Sequence, residues 1–243
     1  MASKNQIKLV CRLHKKRYRK QYGLFIVETA KVINELLNSN LFLEKLFITE
    51  HIFEEVSDEK KIITDPGSLK KMSTLTTPTN CLAVFKIPEI QKIRDSGLIM
   101  MLDDIRDPGN LGTIIRLCDW FGISQVICSE TTADIYNPKV IQATMGSIVR
   151  VQVYYTDLTY YLKNTQLPIF GTFMMGNSIY KQSLCKEEGI IIMGNEANGI
   201  SPEIEQWVTH RLTIPRFGNL QQIESLNVAT ATAIILSEFR RMI

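Results

Sequence analysis

The sequence predicts an α/β protein in two parts, a small α/β unit followed by a larger, mostly parallel sheet. Three observations carry this expectation. Strand-sized apolar runs alternate with helical periodicity along the whole 243-residue chain. Charge is divided unevenly: residues 1–88 hold 15 Lys+Arg against 9 Asp+Glu, a balance of +6, whereas residues 89–243 hold 13 against 16, a balance of −3. A polar stretch at residues 89–97 precedes the strongest strand signal, Leu-Ile-Met-Met-Leu at 98–102, and reads as a linker. The expected domains are thus 1–88 and 98–243. A chain of this length buries roughly 70–75% of its unfolded surface, enough for two modest cores.

The first element reads as an amphipathic helix. At 100° per residue Ile7, Val10, Cys11, His14 and Tyr18 share one face, and Lys8, Arg12, Lys15, Lys16 and Arg19 share the other. Glu28 is the first acidic residue, so this face is cationic and suits a polyanion; its alternative is a solvated lysine-rich surface. A mitochondrial leader is disfavoured, because Ser is scarce and a strand follows at once at 23–27. Helical periodicity then covers 29–38, strands 43–49, 61–64 and 82–87, and a short helix 66–72. In the second part helices are expected at 111–121, 138–145, 158–163 and 225–241. Strands are expected at 125–128, 151–155, 169–173, 189–193 and 211–214. Strands separated by helices mean a parallel sheet, and ligands then collect beyond the strands' carboxyl ends.

Composition excludes several classes. No apolar run approaches the roughly 20 residues of a membrane-spanning helix. The five cysteines, Cys11, Cys81, Cys118, Cys128 and Cys185, are odd in number and scattered, which points to a reducing cytoplasm. They share no ligand spacing with His14, His51 and His210, so no metal is expected.

Three loops beyond strand ends carry the chemistry. The first, Asp103-Asp104-Ile105-Arg106-Asp107-Pro108-Gly109-Asn110-Leu111-Gly112, leads into a helix whose buried stripe is Ile114, Leu117, Cys118 and Phe121. Arg116 faces outward near the helix start, where a guanidinium suits a phosphate; Asn110 reads as a cap. The second loop is Met193-Gly194-Asn195-Glu196-Ala197-Asn198-Gly199-Ile200-Ser201-Pro202. It fails both phosphate-loop and dinucleotide fingerprints and is a glycine turn with an acidic side chain. The third runs from Ile214-Pro215 to Ser225-Leu226-Asn227-Val228 and enters the last helix, with Ser225 as its expected cap.

Together these loops resemble the three motifs of the SpoU (TrmH-like) RNA methyltransferases. The matching residues are Asp107-Pro108-Gly109-Asn110-Leu111-Gly112 with Arg116, Gly194-Asn195-Glu196 with Gly199, and Ile214-Pro215 with Ser225-Leu226-Asn227-Val228. The stretch Ala133-Asp134-Ile135-Tyr136-Asn137-Pro138-Lys139 with Met145-Gly146 is similar to a fourth, and residues 7–88 resemble the family's N-terminal substrate-binding domain. Thr29 replaces a usual Gly, and the loop between Pro215 and Ser225 is longer than usual.

The resemblance implies a SPOUT fold, with helices on both faces of the sheet and a deep trefoil knot at the C-terminus. It also implies transfer of a methyl group from S-adenosylmethionine to a ribose 2'-hydroxyl. Implied for the reaction are Arg116, as a phosphate clamp that also stabilises the forming alkoxide, Asn110 orienting Arg116 or the ribose, and Glu196, Ser225 and Asn227 shaping the site. Cofactor contacts fall at Thr172, Phe173, Met193, Gly194, Asn195, Glu196, Gly199, Ile214, Ser225 and Leu226, with main-chain groups foremost. RNA contacts fall at Lys8, Arg12, Lys15, Lys16 and Arg19. Ribosomal RNA is preferred to transfer RNA as substrate, and a homodimer is expected, with Trp120 projecting outward and small Ala229 and Ala233 permitting close helix packing. The competing readings are an inactive RNA-binding protein on the same fold and, more remotely, a magnesium phosphohydrolase using Asp103, Asp104 and Asp107.

Overall fold

The structure, a computed structural model, describes residues 1–182, 184, 187–218 and 225–241. Cys185 and positions 219–224 of the third loop lie outside the described residues. Contacts divide the chain into two compact units, Met1–Ile90 with Asp134–Val149, and Gln91–Ala133 with Arg150–Ile243.

The first unit begins with two helices, α1 (Lys4–Leu13) and α2 (Lys16–Tyr22), where the periodicity suggested one. Ser3 opens α1 with a capping box to Gln6, and the chain leaves helical geometry at Lys15 (φ −103°, ψ 131°). Arg19 accounts for the break. Its Nη1 donates to the carbonyls of Leu13 and His14 at 2.8 and 2.9 Å, satisfying acceptors that a helix end leaves open. Its Nε and Nη2 donate to Asp134 Oδ2 at 3.1 and 2.5 Å. Arg19 is therefore buried rather than on the outward basic face where helical winding had placed it. Lys8, Lys15 and Lys16 stay exposed and Arg12 is half-buried.

The remainder of this unit is β1 (Leu24–Glu28), α3 (Ala30–Leu37), β2 (Leu43–Ile48), β3 (Lys61–Ile63), α4 (Pro66–Met72), β4 (Cys81–Lys86) and the helix at Pro138–Thr144. Its sheet has the order β1-β4-β2-β3, antiparallel except for β2 against β3. Alternation splits the strands between two cores. Phe25, Val27, Leu46, Ile48 and Phe85 meet Val32, Ile33, Leu36 and Ile141 on one face. Ile26, Phe47, Leu82 and Val84 meet Val10, Leu13, Leu69 and Met72 on the other.

The second unit is built on a six-stranded, wholly parallel sheet of order β10-β8-β9-β5-β6-β7. Its elements are β5 (Leu98–Leu102), α5 (Pro108–Trp120), β6 (Gln125–Cys128), β7 (Gln152–Tyr155), α7 (Leu158–Asn164), β8 (Ile169–Ser178), β9 (Gly189–Met193), α8 (Pro202–Glu205), β10 (His210–Thr213) and α9 (Val228–Arg240); the helix Pro138–Thr144 is α6. Leu158, Leu162 and Ile204 of α7 and α8 cover one face, over Ile99, Met101, Ile127, Ile190 and Ile192. Phe239 of α9 packs edge-on against Phe170 at 5.1 Å, on the face opposite Ile169, and α9 packs along α5. Helices thus lie on both faces. The chain passes from β9 across β8 to the edge strand β10, and its last helix returns to α5. The implied knot fits this path.

Two caps differ from the expected ones. Asp107, not Asn110, caps α5, accepting from the Asn110 amide at 2.7 Å with Pro108 at the first helical position. Asn227, not Ser225, caps α9.

Thr29 has φ 77° and ψ 130°, a region hostile to a β-branched residue and open to glycine, which explains why Gly suits the position. Such strain costs of order 1–3 kcal/mol. Thr29→Gly is expected to stabilise the protein by about 1 kcal/mol net of the added chain entropy, raising Tm by about 2–4 °C in a calorimetric melt; a lower Tm would contradict a strained threonine.

Candidate active site

Because every strand of the second sheet is parallel, its loops of interest leave from one edge. Leu102 at the end of β5 sits beside Met193 at the end of β9, and the Asp103 amide donates to the Met193 carbonyl at 2.9 Å. The first loop then ties down the second. Buried Asp103 accepts through Oδ2 from the Ser201 amide at 2.7 Å, at the start of α8. Asn195 Nδ2 donates to the Asp104 carbonyl at 2.8 Å. Asp104 also pairs with Arg106 at 2.9 Å. Burial pushes the Asp104 carboxyl up, but hydrogen bonds from Arg106 and Thr131 and the Arg106 charge outweigh it and hold the group below the usual carboxylate range.

The second loop is folded tightly on itself. Asn195 and Gly199 exchange both backbone hydrogen bonds at 2.9 Å, and Asn195 Oδ1 accepts from the amides of Ala197 and Asn198. Gly194 is required by close approach: a Cβ there would lie 2.2 Å from the Gly199 carbonyl carbon and the Ile200 nitrogen, which no side chain tolerates. Gly199 has φ 70°, left-handed and at home for glycine.

Asn110 joins the three loops. Its Nδ2 donates to Glu196 Oε1 at 2.8 Å, and its Oδ1 accepts from Asn227 Nδ2 at 2.9 Å. Asn227 in turn accepts through Oδ1 from the amides of Ala229 and Thr230, capping α9. The chain Glu196–Asn110–Asn227 thus runs from the second loop through the first turn of α5 to the start of the last helix. Asn110 spends its carboxamide on these loops and not on Arg116.

Arg116 lies on the exposed stripe Gly109, Thr113, Arg116 and Trp120 of α5. Among the described residues it has no hydrogen-bond or ion-pair partner, so its guanidinium is available to a ligand. Trp120 is 83% exposed on the same stripe. Burial pushes the Cys118 and Cys128 thiols up, and both are enclosed in the core.

The positions implied for a cofactor offer main-chain groups. Among the described residues the amides and carbonyls of Gly194, Ile214 and Leu226 have no hydrogen-bond partner. Such unpaired donors and acceptors fit a nucleoside recognised by backbone. Thr172 donates to the Ile192 carbonyl at 2.9 Å, one residue before Met193. Phe173 joins the apolar cluster and carries the Arg211 guanidinium 3.6 Å from its ring centroid, while Arg211 pairs with Glu205. Ser225 and Leu226 are exposed. Lys8, Arg12, Lys15, Lys16 and Arg19 belong to the first unit.

Sequence reasoning missed the ties at Asp103 and Asp104, which it weighed only as capping or metal residues. It offered one usable signal, a carboxylate directly after a buried strand end. Nor did it foresee that the Asn195 side chain holds its own loop closed.

Fold and site together define an RNA methyltransferase of the SPOUT class. The chain belongs to the SpoU rRNA Methylase family, whose model matches residues 97–237; the MRM3-like substrate binding domain matches residues 4–83. It is 29% identical to the 23S rRNA (guanosine(2553)-2'-O)-methyltransferase RlmP of Bacillus subtilis over 98% of both chains. Among solved structures, a protein assigned to the TrmH family of RNA methyltransferases from Porphyromonas gingivalis superimposes with a TM-score of 0.89 at 39% identity, over 99% of each chain. An AdoMet-bound rRNA methyltransferase from Sinorhizobium meliloti shares the fold, with a TM-score of 0.87 at 24% identity over 99% of this chain and 97% of its own.

Proposed function

We propose that this chain transfers a methyl group from S-adenosylmethionine to a ribose 2'-hydroxyl of ribosomal RNA. The observation that carries the reading is the Glu196–Asn110–Asn227 chain, which gathers the three loops on one helix with Arg116, unpaired among the described residues. Ribosomal RNA is favoured as substrate because RlmP, similar over nearly the full length, is named for that substrate.

When bound, S-adenosylmethionine supplies an electrophilic methyl group. The main-chain groups of Gly194, Ile214 and Leu226 are suited to hold it, with Met193, Thr172, Phe173, Asn195, Glu196, Gly199 and Ser225 around them. Arg116 acts on the RNA. A guanidinium keeps its proton at any working pH, so it cannot serve as the base. It would hold the phosphate next to the target ribose and lower the energy of negative charge growing on the 2'-oxygen as that hydroxyl gives up its proton to solvent. Asn110 acts as a positioning residue, fixing Glu196 and Asn227 relative to the helix that carries Arg116.

The finer reading includes a homodimer acting in the cytoplasm. Exposed Trp120, Met174, Met175 and Phe217 offer the second unit large apolar side chains that a partner protomer could cover. No helix among the described residues is long and apolar enough to cross a membrane.

Arg116→Ala should lower kcat about 100- to 1000-fold in a tritiated-methyl transfer assay, as loss of a transition-state donor does, while the calorimetric affinity for S-adenosylmethionine stays within about twofold. Retained turnover would remove Arg116 from the reaction. Light scattering of the purified protein at micromolar concentration should give twice the chain mass; a monomer there would contradict the dimer.

A further inference from the structure

The N-terminal unit carries an aromatic pair that the basic-face reading does not use. Tyr18 and Tyr22, one turn apart on α2, have near-parallel rings, 16° between planes and 6.3 Å between centroids. Two arginines fix them. Arg12 lies with its guanidinium carbon 5.5 Å from the Tyr18 centroid and donates to the Tyr22 hydroxyl at 3.2 Å. Arg17 lies 4.7 Å from the same centroid and donates to the Tyr18 hydroxyl at 3.2 Å. Tyr22 is 38% exposed and Arg17 is exposed. Tyr22 is thus held at the surface beside a half-buried Tyr18, and the pair is given cationic neighbours.

The charged side chains of α1 and α2 are of one sign. No acidic residue precedes Glu28, and that carboxylate is buried and engaged by Ser73 and by the amide and hydroxyl of Thr74. A second basic element joins from α4. Cys11 Sγ donates to the Lys71 carbonyl at 3.2 Å and His14 Nε2 lies 2.9 Å from the Met72 carbonyl, which sets the end of α4, with exposed Lys70 and Lys71, against α1. The buried Arg19–Asp134 pair and the two carbonyl contacts of Arg19 fix the orientation of α2.

We propose that Tyr18 and Tyr22 form a stacking platform for an unpaired RNA base, with the guanidiniums of Arg12 and Arg17, which lie over the Tyr18 ring, as part of that platform and the lysines of α1, α2 and α4 on the flanking phosphates. The proposal deepens the RNA-substrate reading above and rests on it. A cationic face alone binds duplex and single strand alike. Presented π-faces add affinity only for bases that have left the stack, because A-form helices hide theirs. The platform therefore selects loops, bulges or opened strands.

The test compares the full-length protein with Tyr18→Leu/Tyr22→Leu and Tyr18→Phe/Tyr22→Phe. Binding of an unstructured RNA strand, and of the duplex of the same sequence, is followed by fluorescence anisotropy over a salt series. The leucine pair should weaken single-strand binding about 10- to 100-fold, leave duplex binding within about twofold, and leave the slope of log affinity against log salt unchanged. The phenylalanine pair should bind like the parent, since the ring and not the hydroxyl stacks. Photocrosslinking of the unaltered protein to a 5-bromouridine strand, independent of how the variants fold, should place adducts on Tyr18 or Tyr22. Equal losses on strand and duplex, no loss at all, or adducts only elsewhere would overturn the platform while leaving the RNA reading in place. A parent protein that binds neither RNA would overturn that reading and the platform with it.

Discussion

The carboxamide of Asn110 holds together what the rest of the site needs. Its two ends reach side chains 86 and 117 residues downstream, on two different loops. A parallel sheet delivers those loops to one edge but does not set their spacing; hydrogen bonds between their side chains do. An amide is suited to the task because it donates to a carboxylate at one end and accepts from a second amide at the other. The same contact ties the cap of α9 to the first turn of α5, so the helix that bears Arg116 and the last helix begin from a shared polar junction. The second loop is closed independently by Asn195 and Gly199, and its start is pinned by Asp103. Preorganisation of this kind is what electrostatic catalysis requires, since donors that must reorient during reaction stabilise little.

The N-terminal unit follows a parallel logic with opposite chemistry. There the organising contact is a buried ion pair, Arg19 with Asp134. Burying two charges is costly in itself, and such pairs contribute specificity more dependably than stability. Arg19 also accepts the task of closing α1, so one guanidinium ends a helix, sets the direction of the next, and fastens residues 134–149 to the unit.

Much of this was legible in the amino-acid order. Strands at 98–102, 125–128 and 189–193 and the helix at 66–72 match the structure residue for residue, because each is a bounded run with one clear period. The two-part α/β plan followed from the alternation of such runs. Other features depend on partners far along the chain. Arg19 looked solvent-facing because Asp134 lies 115 residues away, and local winding has no access to that pairing. Asn110 looked like a cap because Asp107, three residues earlier, competes for the same role and wins as the residue directly before Pro108. Strand β8 runs on to Ser178, past the expected end at 173, because Asn177 and Ser178 pair with Leu212 and Thr213 of β10 beyond a register shift that no alternation announces. Motif residues were thus easier to find than the bonds between them: the positions of Asn110, Glu196 and Asn227 were singled out, their linkage was not.

The most direct measurement is calorimetric titration of S-adenosylmethionine into the parent protein and Asn110→Ala. If one carboxamide joins the loops that build the site, the variant should remain folded and bind at least about tenfold more weakly, because it loses two positioning bonds that contribute about 1 kcal/mol each. Affinity unchanged by the substitution would mean that the loops hold their places without it, and would contradict the account.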